Sequence, residues 1–375
     1  MSTMQTPSGV LWIPIGRQFT FDDLVFWQTA GQQPFEAAAA QIDTIVLGPH
    51  ASAAFPSELK PFVHPDLTQR KQCDFSDVLT SDLGRLWALM DPHTVFIENP
   101  HARLAVDANR APPPDPIADL REFFARLALQ RHGEKVTFAG IDAIRPVTFS
   151  GEVVLQEPQT EAEWEHLTHA MQRCVAQGVA PYRAACAQVV DAVLAAGPAR
   201  ALRVISLHDT MNTQMHPSGA IVVERPEADR LPQVANLGNR GDVSGEPIDP
   251  DDPVTIGAEH LRRLAEHWAH ALDIAPEQVA SSFTLNQPYK GAHETIYFGQ
   301  RLAAHQGLGS GVIQVEFRRE ALMGPAELAV LQSPGEHWPP PNKDVLSKLA
   351  RALAQAGHTL RSGTAPSFVR PILKE

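Results

Sequence analysis

Cysteine is nearly absent: Cys73, Cys174 and Cys186 are the only three in 375 residues. None lies close to another, so neither a disulfide framework nor a thiolate zinc cage can be built, and a reducing, cytoplasmic setting is expected. No apolar run reaches the roughly 18 residues that a membrane span needs, so no membrane association is expected. Residues 1–9 lack a basic stretch followed by an apolar core, and no secretory signal is expected there. Lys and Arg number 31 against 43 Asp and Glu, a net charge of -12. The cations form no run, which argues against nucleic acid as a partner, because phosphate binding needs clustered cations. A local arginine pocket for a small anion remains compatible with an acidic surface. Gly-x-Gly-x-x-Gly, P-loop, Gly-x-Ser-x-Gly and His-Glu-x-x-His are also missing, which removes the usual dinucleotide, nucleotide, serine-hydrolase and zincin readings.

What is present is a chain 43% hydrophobic, long enough to bury a large core and cut into short elements by 32 prolines. Apolar runs predict strands at 10–15, 42–48, 94–97, 104–106, 202–207, 220–223, 283–285 and 312–317. Helical spacing predicts helices at 35–41, 117–130, 161–196 (broken around Gly178 and Pro181), 258–272 and 344–356. Another is expected to start from Ser76 as its N-cap and run to Met90. A Gly/Asp/Pro-rich loop is expected over 236–253. Strands alternating with helices indicate an α/β fold of three layers, a mostly parallel mixed sheet with helices on both faces. We expect a single domain over residues 1–375, with helical excursions at about 112–200 and a loop-rich one at about 236–256. Nothing in the sequence sets an oligomeric state.

Three apolar runs carry conspicuous polar residues. The first is followed by His50, the second by His208, and the run 311–317 contains Glu316. Open α/β sheets bind ligands at the carboxyl ends of their strands. Two imidazoles and a carboxylate base are also the inventory of a metal-assisted hydrolase. Each residue has a plainer reading. His50 can be a loop histidine, Asp209 beside His208 an N-cap for the next segment, and Glu316 half of a structural salt bridge. Asp107-Ala108-Asn109-Arg110 places a carboxylate, an amide and a planar guanidinium together, suited to an anion or oxyanion. The stretch 286–295 is dense in polar groups. Glu163, His166 and His169, like Glu266, His267 and His270, lie at helical spacing, and solvated helix faces explain both groups.

Taken in order, these segments resemble the N-formylglutamate amidohydrolase family. Pro49-His50-Ala51-Ser52 with Pro56 is similar to its Pro-His-Ser/Ala-Gly motif. Arg103 with Asp107-Ala108-Asn109-Arg110 is similar to its Arg…Asp-Leu-Asn-Arg motif. Leu231-Pro232 with Asn236-Leu237-Gly238, Asn286 through Lys290-Gly291-Ala292-His293 with Gly299, and Gln314-Val315-Glu316 through Met323 follow in the family's order. The resemblance implies a phosphorylase/hydrolase-like fold similar to the zinc carboxypeptidases and aspartoacylases. It implies one divalent metal, Zn²⁺, held by His50, His208 and a carboxylate. Asp77 and Asp82 are the candidates for that carboxylate, and Asp77 better matches the family spacing to Arg85. It further implies Glu316 as the base, with Arg110 assisting catalysis. Arg103, Asn109, Asn286, Lys290 and His293 would bind a small acidic amide substrate, within histidine degradation.

The chain departs from the family at three places. Ser206 stands where the family has an acid two residues before the second histidine. Pro181-Tyr182-Arg183 replaces a Pro-Tyr-His triplet. Ile296 replaces the arginine expected to clamp a substrate carboxylate, with Arg183, Arg301 and Arg145 as possible substitutes. The expected function is hydrolysis of the amide of an N-formyl or N-acyl amino acid such as N-formylglutamate. The alternatives are another N-acyl amino acid or small peptide as substrate, or an inactive homologue that binds a small ligand.

Overall fold

The structure is a computed structural model that describes residues 9–197 and 201–363; the stretch 1–8, where no secretory signal is expected, lies outside them. Seven strands form the main sheet: β1 (Val25–Phe26), β2 (Thr44–Gly48), β3 (Thr94–Glu98), β4 (Arg203–Thr210), β5 (Ala235–Gly238), β6 (Phe283–Leu285) and β7 (Gly311–Arg318). Their order is β6-β5-β7-β4-β2-β3-β1. The run β7-β4-β2-β3 is parallel, whereas β5 and β1 pair antiparallel with β7 and β3. These central strands are covered on both faces, so each reads as a near-continuous apolar run instead of an alternating one.

The longer helices are α1 (Leu79–Met90), α2 (Pro116–Arg131), α3 (Glu161–Cys174), α4 (Ala180–Ala195), α5 (Ala258–Ala271), α6 (His293–Leu302) and α7 (Lys343–Ser362). Helices α1, α5 and α7 cover Val46, Phe96, Ile205, Val315 and Phe317. Helices α4 and α6 lie on the other face, over Ile45, Leu47, Ile97, Val204 and Val312. Gly84 brings α1 hard onto the sheet: a Cβ there would stand 2.4 Å from the Phe96 ring.

This topology fixes where a ligand can bind. The chain goes from β2 through α1 to β3, then returns past β2 to β4, so the connections diverge between β2 and β4. Such a switch point leaves a crevice at the strands' carboxyl ends, and His50 and His208 flank it.

Several expectations change. Residues 104–106 form a turn and irregular backbone, not a strand, because β3 is already flanked by β2 and β1. Within 10–15 only Trp12–Ile13 is a strand, paired with Phe55–Pro56. Ser76 does not cap α1, which starts at Leu79. The Leu79 N–H is taken instead by the Asp209 carboxylate at 3.1 Å, so Asp209 caps a helix 130 residues upstream rather than the segment after it. The path from α3 to α4 does not break at Gly178 and Pro181: a π-helical turn, Val175–Val179, carries it through, and this wider turn directly precedes the proline, whose ring and missing N–H a regular helix interior would not accommodate. Helix α4 packs on the sheet and is part of a layer, not an excursion. Residues 235–238 belong to β5, so the loop begins after Gly238. The final helix is longer than its apolar spacing indicated. His267 is buried, with its Nδ1 2.8 Å from Thr359 Oγ1, and is no part of a solvated face.

Candidate active site

His50 lies in the tight turn that follows β2. His208 lies within β4, not beyond it, because pairing with β7 extends that strand to Thr210. On β4, Ser206 and His208 share the face of Val204, and on β7 Gln314 and Glu316 share the face of Val312. The register sets Glu316 opposite His208. Asp77 lies in the turn before α1 and not on the helix itself; its N–H donates to the His50 carbonyl at 2.9 Å. Arg319 stabilises this turn: it pairs with Asp209 and donates to the Ser76 carbonyl at 2.6 Å.

Asp77 Oδ2 meets His50 Nδ1 at 3.1 Å and His208 Nδ1 at 2.8 Å. One ligand atom from each residue lies within 4.8 Å of the others, and all three residues are buried. Asp82 is not in this group. The opposite ring nitrogens are also held: His50 Nε2 stands 2.7 Å from Asp107 Oδ1, and His208 Nε2 stands 2.9 Å from Ser206 Oγ and 3.2 Å from Asn109 Nδ2. Two imidazole nitrogens and a carboxylate, with the far side of each ring anchored, match a divalent-metal site of three protein ligands and an open position. The donor set fits the metal.

The electrostatics agree with that chemistry. Burial works against the Asp77 charge, but His50 and His208 overcome it and hold the carboxyl below its usual range. Burial and Arg103 lower His50, yet the Asp107 and Asp77 carboxylates leave it raised overall. His208 is lowered, chiefly by burial. Burial, then the charges of Asp77 and Asp209, push Glu316 well above the ordinary carboxyl range. Among the described residues nothing hydrogen-bonds the Glu316 side chain.

These groups open onto a cavity of about 480 Å³, which Arg103, Asn109, Arg110 and Lys290 also line. Arg103 donates to Asp107 Oδ2 at 2.8 Å, and Arg110 to Asp142 at 3.1 Å. Two expected substrate contacts are not brought to this cavity. Asn286 is buried and its amide bridges Asn239 and Asp242. His293 faces a separate cavity of about 250 Å³ beside Tyr182 and Arg183.

Sequence reasoning missed Glu294, which accepts from Ser206 Oγ at 2.6 Å and Tyr182 OH at 2.7 Å. Its place beside His293 at a helix start was the available signal. Arg225 and Tyr289 in the cavity wall were also missed, and nothing in the local sequence marks Arg225.

A family model for N-formylglutamate amidohydrolase matches residues 42–323. One similar solved structure is a gene product from Agrobacterium tumefaciens: 16% identity, covering 87% of this chain and 93% of that one, TM-score 0.48. Another is N-formylglutamate amidohydrolase from Ralstonia eutropha JMP134: 17% identity, covering 86% and 95%, TM-score 0.46. No curated protein matches. The family match takes in most of the chain, with every residue of the metal-fitting group inside it, and the protein belongs to the N-formylglutamate amidohydrolase family, whose members are hydrolases acting on an amide.

Proposed function

We propose that the protein hydrolyses the amide of an N-formyl or N-acyl amino acid, N-formylglutamate being the first candidate. The observation that carries this reading is the meeting of His50, His208 and Asp77 at the cavity, with Glu316 beside His208 on the adjacent strand. His50 Nδ1, His208 Nδ1 and the Asp77 carboxylate would hold one divalent ion, Zn²⁺ in our reading. Such an ion supplies Lewis acidity toward the substrate carbonyl and acidifies water.

The chain's own groups do the rest. Glu316 takes a proton from the attacking water and returns it to the leaving amine nitrogen. A carboxylate with raised proton affinity and no hydrogen-bond partner suits that exchange. Asp107 and Ser206 keep the two imidazoles turned toward the centre. Asn109 and Arg110 orient the substrate's polar end and favour the developing oxyanion, with Arg103 and Lys290 adding positive charge to the wall.

A second reading keeps the chemistry and changes the substrate to another N-acyl amino acid or a small peptide. Ile296 favours it, since the arginine expected there is missing. A panel of N-acyl amino acids tests both. Turnover of at least one member that Glu316→Gln abolishes supports the amidohydrolase reading; no turnover of any member overturns it.

A further inference from the structure

Four arginines line the cavity: Arg103, Arg110, Arg225 and Arg319. Three are paired with the protein's own carboxylates, Arg103 with Asp107, Arg110 with Asp142 and Arg319 with Asp209. Arg225 differs. Its Nη1 donates to Tyr289 OH at 3.1 Å and its Nη2 to Thr210 Oγ1 at 3.2 Å, both neutral groups. Its Nε is buried without any partner. The carboxylates of the same cavity, Asp74, Asp77, Asp229 and Glu316, form no ion pair with it. A guanidinium offers five donors in a planar fork; Asp74 and Glu316 act on this one only through space, so the fork has no carboxylate in contact and its buried, unpaired N–H is costly. An incoming carboxylate relieves that cost.

We infer that Arg225 receives a carboxylate of the substrate and makes the cavity selective for N-acyl amino acids with an acidic side chain; this rests on the amidohydrolase reading. The other arginines able to replace the one missing at Ile296 lie elsewhere. Arg183 donates to the Ala108 and Arg110 carbonyls beside the second cavity. Arg301 is paired with Asp191. Arg145 lies over the rings of Phe123 and Phe149, and its Nε, like that of Arg183, is buried without a hydrogen bond. None of the three lines the cavity that holds Glu316. Arg225 follows a strand, Ile221–Glu224, of a separate two-stranded ribbon, so the clamp comes from a different part of the chain.

The test compares kcat/KM for N-formylglutamate and its uncharged isostere N-formylglutamine in the wild type, Arg225→Gln and Arg225→Lys. The preference for the acid should shrink roughly tenfold to a hundredfold in Arg225→Gln, and less in Arg225→Lys, which keeps the charge without the fork. An unchanged preference overturns the inference while leaving the amidohydrolase reading intact. Wild-type protein that hydrolyses neither compound sinks that reading separately, and L-glutamate binding by calorimetry then decides. Affinity at least tenfold weaker in Arg225→Gln supports the clamp; equal affinity, or no binding by the wild type, overturns it. If Arg225→Gln does not yield folded protein, Arg225→Lys carries the same comparison, with any loss of preference supporting and none overturning.

Discussion

Ser206 donates a 2.6 Å hydrogen bond to Glu294 across 88 residues of chain. Its hydroxyl also stands 2.9 Å from His208 Nε2, so a buried carboxylate is connected to the second histidine through one oxygen. When His208 Nδ1 binds a metal, Nε2 must carry the proton, and a hydroxyl can accept that proton while donating its own. Glu294 thereby occupies the role of an acid placed directly beside the histidine. Ser206→Ala should weaken divalent-metal affinity roughly tenfold to a hundredfold. Competition against a chromogenic chelator measures this, and unchanged affinity would show that the relay does not orient His208.

Glu294 also sets a pH dependence of stability. Burial raises its carboxyl from 4.5 to about 7. Below pH 4.5 both folded and unfolded chains carry the proton. Between 4.5 and about 7 the folded chain keeps it while the unfolded chain releases it, so this group's contribution falls as pH rises and levels off above 7. The full effect is on the order of 3 kcal/mol. Melting curves of the wild type and Glu294→Gln should therefore differ increasingly in the variant's favour from pH 4.5 to 7. A difference that stays flat across that range contradicts the assignment.

Arg319→Met should destabilise the fold by about 3–5 kcal/mol, because it leaves the fully buried Asp209 without its counter-charge. The same change frees the Ser76 carbonyl and loosens the Asp209 cap on Leu79, so the Asp77 turn should shift as well. Denaturant titration reports the first effect, and a loss under about 1 kcal/mol would be inconsistent with a desolvated pair.

Glu316→Gln should lower kcat roughly a hundredfold to ten-thousandfold with bound metal unchanged, since Glu316 is outside the group of His50, Asp77 and His208. Parallel rate and metal assays separate the two roles. A variant that turns over normally removes Glu316 as the base.

The sheet was legible because strands buried on both faces appear as unbroken apolar runs, and His50, His208 and Glu316 stand out against them. Asp77 was legible only through ordered motifs, since it lies in a turn whose spacing carries no periodic signal; Asp107 stood out as part of a polar cluster, but its pairing with His50 did not. Glu294, Arg225 and Arg319 depend on partners distant in sequence, which no local pattern encodes. Asn286 was polar for another reason: its backbone φ of 56° is left-handed, a conformation asparagine tolerates, and its amide ties two loops together. The misread cap at Ser76 has the same origin, because Asp209 arrives from the neighbouring strand.

The proposed chemistry depends on a metal between His50, His208 and Asp77. The most direct measurement is the divalent-metal content of purified wild-type protein and of Asp77→Ala, taken side by side by elemental analysis. The account predicts about one ion per chain in the wild type and almost none in the variant. A wild type without metal after incubation with zinc, or a variant that retains a full complement, would contradict it.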